Sequence, residues 1–177
     1  QEKEFSRIDF LTGLRNRRYF IELLNMEINR AHRYEHPFTV VSIDLDNFKT
    51  VNDCFGHSTG DILLRLVART IQQNIRGTDT VARLGGDEFA ILLPETGRNV
   101  AEVILQRIQK INLDLMRRHG WPVTLSIGVV TFTSPPSTVD ETLRISDQLM
   151  YSAKNTGKNS IQYEVLGIGE RPAMPAA

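Results

Sequence analysis

Only one cysteine, Cys54, occurs in 177 residues, so no disulfide can form within the chain, and a reducing compartment suits it. A surplus of either charge is also missing, since 21 Lys and Arg balance 21 Asp and Glu. That balance argues against a binder of nucleic-acid polymers, whose phosphate contacts call for a basic excess, while leaving room for a local basic cluster that holds phosphates. No apolar run approaches the ~18–20 residues that span a bilayer, and no secretory leader pattern opens the chain. A cytoplasmic segment without membrane contact is therefore expected. The chain starts on Gln1-Glu2-Lys3 rather than on Met, which leads us to expect a domain excised from a longer protein.

What the chain does have is a core-sized supply of apolar residues, 41% of the total, which suits one domain. It is organised around Arg83-Leu84-Gly85-Gly86-Asp87-Glu88-Phe89, flanked by the strand-like runs Thr80-Val81-Ala82 and Ala90-Ile91-Leu92-Leu93. Two glycines between such runs predict a tight hairpin, because glycine takes positive φ without steric cost. The turn presents Asp87 and Glu88 at its tip, where adjacent carboxylates suit a hard cation that prefers oxygen ligands. Taken alone, the same residues also make an ordinary exposed hairpin. A second acidic pair shifts the balance. Phe38-Thr39-Val40-Val41-Ser42-Ile43-Asp44-Leu45-Asp46 is a near-continuous apolar run ending in acids, which predicts a central strand buried on both faces. Asp44 and Asp46 leave that strand on one face, and carboxylates there need a cation or several donors.

A helix is expected from about Asn16 to 34, with Phe20, Leu23, Leu24, Ile28 and Ala31 inward and Glu22, Glu27, Asn29 and Arg30 outward. Residues 47–58 form a polar connection, followed by a helix over about 59–74 with Leu63, Leu64, Val67, Ala68 and Ile71 buried. A third helix over 98–118 turns Val103, Ile104, Ile108, Ile111 and Leu115 inward. A strand over Pro122–Phe132, a helix over about 140–155 and a strand over Ser160–Val165 complete a domain spanning 1–165, with a flexible tail over 166–177. The pattern predicts an α+β fold with a central, mostly antiparallel five-stranded sheet flanked by helices. Ligands bind beyond the carboxyl ends of strands in such sheets. Asn52 and Asp61 there are of the types that read a guanine edge, although Asp61 equally suits a helix's first turn and His57 alone suits packing or capping. Lys154 and Lys158 match a helix C-terminus and also the neutralisation of a triphosphate.

Gly85-Gly86-Asp87-Glu88-Phe89 resembles the signature of the GGDEF family, the diguanylate cyclases. Asp9-Phe10-Leu11-Thr12-Gly13-Leu14-Arg15-Asn16-Arg17-Arg18 is similar to that family's leading segment, D-x-L-T-G-L-x-N-R-R, at every named position, and the likeness covers roughly residues 6–165. The resemblance implies a fold like the palm of nucleotide polymerases and class III nucleotidyl cyclases. It implies that Asp44, the Leu45 carbonyl and Asp87 hold Mg²⁺ or Mn²⁺, with Glu88 at the second metal or the phosphates and Asp87 as candidate base. Asn47, Phe48, Lys49, Asn52, His57, Asp61, Lys154 and Lys158 would surround GTP, with Asn52 and Asp61 on guanine and Lys49 and Lys154 on phosphates. The implied reaction joins two GTP into cyclic di-GMP with release of two pyrophosphates, across a site that two copies of the domain must complete. Arg76-Gly77-Thr78-Asp79 resembles the family's inhibitory R-x-x-D site for product, where the bland reading is a solvated salt pair. A sensory domain ahead of this one is expected.

Two rivals remain at this level. One is a catalytically silent module that senses cyclic di-GMP through Arg76 and Asp79, or GTP through its pocket. The presence of Asp44, Lys49, Asn52, Asp61, Asp87, Glu88 and Lys154 together weighs against it. The other is a cyclase making a mononucleotide product, which no base-selective feature supports.

Overall fold

A computed structural model of the chain describes residues 7–136 and 138–167. Its elements run β1 (Arg15–Asn16), α1 (Arg17–Tyr34), β2 (Phe38–Asp46), α2 (Phe48–Phe55), α3 (His57–Gln73), β3 (Thr80–Gly85), β4 (Glu88–Leu93), α4 (Arg98–Arg118), β5 (Thr124–Phe132), α5 (Val139–Asn155) and β6 (Ile161–Leu166). The strands form one sheet in the order β1-β3-β4-β2-β5-β6. Its interior pairs are antiparallel, and the edge pairs β1–β3 and β5–β6 are parallel.

The expected α+β architecture is present, with six strands rather than five. The extra strand, β1, is two residues long, too short to leave a hydrophobic period. It is fixed by the loop before it, where Asp9 N donates to Leu14 O at 2.8 Å and Asn16 N donates to Arg7 O at 2.9 Å. The polar connection expected over 47–58 also contains a helix, α2. Val51 buries there and Phe48, one turn earlier, packs beside it against the core, a short stripe that a mostly polar segment conceals. Asn47 at φ 63° turns the chain out of β2 into that helix, and Gly56 at φ 90° separates α2 from α3. The last strand runs one residue further than expected. Leu166 pairs with Phe132 and is buried, so it is not tail, and residues 168–177 lie outside the described residues.

Because β2 lies between β4 and β5, its alternate side chains meet two different layers. Val41, Ile43 and Leu45 point with Phe89, Ile91 and Ile127 into a core closed by α3 and α4. Phe38 and Val40 point with Leu92 and Val130 into a second core closed by α1 and α5. On that second face the strand changes character along its length, from Phe38 and Val40 to Ser42, Asp44 and Asp46. Two expectations about helix faces fail. Val103 is 61% exposed while Ala101, Leu105, Asn112 and Met116 bury instead, because α4 is rotated toward the 101–105–108–112 stripe. Glu27 lies buried on α1, its Oε1 without a hydrogen-bond partner, and burial raises its carboxyl above the ordinary range.

Helix α5 sits directly on the sheet at Gly128 of β5. A Cβ at that residue would collide with the main chain of α5 at Ser146 O and Met150 N, so only glycine permits this approach. Gly128→Ala should cost about 1–3 kcal/mol by overpacking a rigid contact and displace α5. Denaturant unfolding measures the loss, and an unchanged midpoint would show that the helix is free to move.

Candidate active site

The acidic end of β2 meets the β3–β4 turn. Gly86 at φ 50° and Asp87 form the turn itself, and Leu45 N donates to Asp87 O at 3.2 Å, tying the tip to β2. Arg83 holds the turn from behind, donating from Nε to Gly86 O at 2.9 Å and pairing through Nη1 with Asp9 Oδ1 at 3.1 Å. The leading segment thereby buttresses the tip, since Thr12 N and Oγ1 both donate to the other Asp9 oxygen, Oδ2. In the sheet register Asp44 stands opposite Glu88 on β4 and opposite Ser126 on β5. Asp44, Asp87 and Glu88, distant in sequence, are thus gathered at one end of the sheet.

The two acids of β2 have different environments. Asp46 has no exposure and accepts from Thr124 Oγ1 at 2.6 Å, Ser126 Oγ at 2.7 Å, Lys154 Nζ at 3.0 Å and Asn159 N at 3.1 Å. Burial alone would raise its carboxyl, yet these donors hold it below the ordinary value. Asp46 meets its need for compensation with donors and has no oxygen left over for an ion. Asp44 pairs with Lys154 Nζ at 3.1 Å through Oδ2, while its Oδ1 is buried without a hydrogen-bond partner. Burial and the neighbouring Asp87 push Asp44 up to about 6, against the pull of Lys154. Burial, then Asp147 and Asp87, raise Glu88 as well.

An orphaned carboxylate oxygen beside a second carboxylate fits a hard divalent cation, which would relieve both burial and repulsion. Among the described residues no group of three or more His, Cys, Asp or Glu side chains is arranged to hold an ion. The site offers two carboxylates and leaves the other positions to main-chain oxygen, water or phosphate, the arrangement Mg²⁺ favours.

Residues 6–160 match the family model described as "Diguanylate cyclase, GGDEF domain". The chain belongs to the GGDEF family. It is 38% identical over 159 residues to the diguanylate cyclase DosC of Escherichia coli, covering 88% of this chain and 34% of that protein. It is 39% identical over 155 residues to the bifunctional diguanylate cyclase/cyclic di-GMP phosphodiesterase MucR of Pseudomonas aeruginosa, covering 85% of this chain and 22% of that one. The chain thus spans about a third or less of each of these relatives. Among solved structures it resembles the diguanylate cyclase SiaD of Pseudomonas aeruginosa, in complex with its activator SiaC, with a TM-score of 0.81 and 35% identity over 92% of this chain and 64% of that one. The coiled coil and GGDEF domain of DgcB from Caulobacter crescentus, in complex with c-di-GMP, matches with a TM-score of 0.82 and 26% identity over 93% and 88% of the two chains.

The remaining GGDEF candidates fall in three places. Asn52 on α2 and Asp61 on α3 are both half-buried, and the Asn52 amide lies over Gly60, the residue before Asp61, where a Cβ would strike Asn52 Oδ1. Phe48 closes that side, while Lys49 and His57 are exposed on α2 and at the start of α3. Lys158 donates to Asn47 Oδ1 at 3.1 Å, and Asn47 Nδ2 donates to Pro122 O at 3.2 Å, linking the loop after α5 to the loop after β2. Arg76 and Asp79 lie apart from these, at the far end of β3, six residues or ~20 Å of strand from the turn. Arg76 forks onto Asp79 through Nε at 3.1 Å and Nη2 at 2.9 Å. The Asp79 side chain is buried, while that of Arg76 is 49% exposed.

Sequence reasoning missed Asp147, which accepts from Ser42 Oγ at 2.8 Å and faces Glu88. It also missed Arg17, whose charge acts on Glu88, and Tyr151, whose hydroxyl feels Glu88. The signal was present, since Asp147, Tyr151 and Lys154 recur at i, i+4, i+7 on one face of α5. Likewise Thr124 and Ser126 alternate with Leu125 and Ile127, a strand with one polar face.

A carboxyl raised on folding contributes stability below its ordinary value, lost as pH rises through the folded value. For Asp44 that window runs from 3.8 to about 6. Denaturant unfolding in chelator should show wild-type stability falling across this window relative to Asp44→Asn. Parallel curves for the two proteins would contradict the shift.

Proposed function

We propose that this domain condenses two GTP into cyclic di-GMP and two pyrophosphates, as half of a site completed by a second copy. The observation that carries this reading is the convergence of Asp44 and Asp87 at the tip, with a buried carboxylate oxygen left unpartnered. Asp44, Asp87 and the Leu45 carbonyl would hold Mg²⁺ or Mn²⁺, with Glu88 beside them. Such an ion supplies charge neutralisation and in-line orientation of the α-phosphate. Everything else is the work of the chain. Asn52 and Asp61 hold the guanine edge, a carboxylate accepting from N1–H and the 2-amino group. Lys49, Lys154 and Lys158, with Asn47 and Phe48 lining the path, meet the triphosphate and balance charge that builds as pyrophosphate leaves. His57 borders the guanine side. Asp87 takes the proton of the attacking 3′-hydroxyl, whose target is the α-phosphate held by the second copy. The cytoplasm, where GTP is available, is the compartment this reading requires, and the controlling input would come from a sensory domain ahead of this one.

Incubation of nucleotide-stripped domain with GTP and Mg²⁺ tests the reading. Cyclic di-GMP should accumulate at a rate steeper than linear in protein concentration, and Asp87→Ala should lower that rate by a factor of about 100 or more while GTP still binds. Product binding without any synthesis, even when dimerisation is forced, would replace this reading with a receptor.

We further propose Arg76 and Asp79 as a product site. Asp79, buried, fixes the guanidinium at the mouth of a cleft of about 420 Å³ that Arg15, Gln72 and Gly77 also line. Its Nε and Nη2 are engaged by Asp79, Pro94 O and Thr96 Oγ1, so Nη1 is the donor that would meet a phosphate or a guanine Hoogsteen edge. Arg76→Ala should prolong the linear phase of synthesis and raise the concentration of cyclic di-GMP needed for half-inhibition by about tenfold or more. An unchanged inhibition curve would leave Arg76–Asp79 as a structural salt pair.

A further inference from the structure

Lys154, assigned above to phosphate, is already engaged. Its ammonium bridges Asp46 Oδ1 at 3.0 Å and Asp44 Oδ2 at 3.1 Å. Asp44 and Asp46 are two residues apart on one face of β2, ~7 Å along the strand, so a single Nζ spans both positions. The two contacts are unequal in kind. Asp46 is wholly buried and saturated by four donors from β5, α5 and the loop after it. Asp44 has one donor, Lys154 itself, an orphaned second oxygen and a like charge beside it at Asp87. A saturated charge in a dry site is a fixed anchor. A carboxylate with one donor and a repelling neighbour is open to exchange.

We propose that Lys154 competes with the divalent ion for Asp44, and that Asp46 tethers it so that it yields Asp44 without leaving the site. The proposal rests on the reading of Asp44 as a metal ligand. Once off Asp44, the ammonium keeps Asp46 and has two of its three N–H donors available for phosphate oxygens. Loading of the acidic site and readiness of the phosphate-binding lysine are then one event. Asp46 is a positioning residue in this scheme, acting through Lys154 and touching neither ion nor substrate. Coupling of this kind is reciprocal, so whatever Lys154 does to ion affinity can be read without any turnover.

The experiment is Mn²⁺ binding to the purified domain without nucleotide, followed by the electron paramagnetic resonance signal of free Mn²⁺. Lys154→Ala should tighten binding about fivefold or more, a typical coupling between sites. Lys154→Gln keeps a donor for Asp46 without the charge and guards against misfolding of the Ala variant. Lys158→Ala removes an equal charge from a side chain bonded to Asn47 rather than Asp44, and should shift affinity less than about twofold, as exposed charges do. Asp46→Asn should weaken Mn²⁺ binding, because Lys154 then falls wholly on Asp44, and the effect should vanish in the Lys154→Gln background. Unchanged or weaker binding by both Lys154 variants, or equal tightening by Lys158→Ala, overturns the competition. An Asp46→Asn effect that persists without Lys154 overturns the tether. Absence of Mn²⁺ binding in every protein overturns the metal reading itself, an outcome distinct from the other two.

Discussion

The structure depends on how one buried charge is satisfied. Asp46 ends β2 with no access to water, where an unpaired carboxylate would cost several kcal/mol or more. The groups that meet this demand come from three different parts of the site wall. Thr124 and Ser126 fix β5 against β2, Lys154 fixes the last turn of α5, and Asn159 N fixes the loop that follows it. Asn159 and its neighbour Lys158 both sit at positive φ, 46° and 63°, a conformation that costs about 1 kcal/mol or more per non-glycine residue. The bond to Asp46 offsets part of that cost, and holds Lys158 where it reaches Asn47.

The neighbouring carboxylates are compensated far less, Asp44 by the Lys154 ammonium alone and Glu88 by the charges of Arg17 and Lys154. Asp44 and Glu88 stand opposite each other, both raised by burial and by nearby acids. A sequence selected for stability alone would not place them there, and the local conflict marks a site at which fold and chemistry compete. The rigid parts of the frame sit next to it. Arg83 clamps the turn, Gly128 lets α5 lie flat on β5, and Gly60 lets the Asn52 amide lie across α3. Positions of acids and amides are thereby set by close main-chain packing at Gly60 and Gly128 together with the Arg83 clamp, which limits their freedom in the way electrostatic preorganisation requires.

Much of this was legible in the chain. The turn glycines, the doubly buried β2 and the buried stripe of α3 follow from local rules that tertiary context did not override. Membership of the GGDEF family followed from motif residues far apart in sequence, which no composition or periodicity would have linked. The failures have separate physical causes. Helix α2 is too short and polar to announce itself, and Val103 and Glu27 exchanged their expected faces because helix rotation is set by the partner surface. The divergence of Asp44 and Asp46 was invisible, since identical spacing and chemistry end in opposite environments. What separates them is that Thr124 and Ser126, remote in sequence, donate to one and leave an oxygen of the other bare.

The two charged sites occupy opposite ends of one strand. Asp79 immediately precedes β3 and the Gly86-Asp87 turn immediately follows it, and both ends are pinned by arginine, Arg76 at one and Arg83 at the other. Strand β3 is also flanked by β1, so the leading segment that reaches Arg83 through Asp9 pairs along the same strand. Strand β3 is held on both sides at Ala82 and Arg83 and is loosened only by a bulge between Arg83 and Gly85, which argues against a local signal that bends the sheet beneath the acidic tip. On the proposed reading, one copy already holds its acids, amides and lysines in order and lacks only its counterpart. Control would then act most directly on how two copies meet rather than through the interior of the domain.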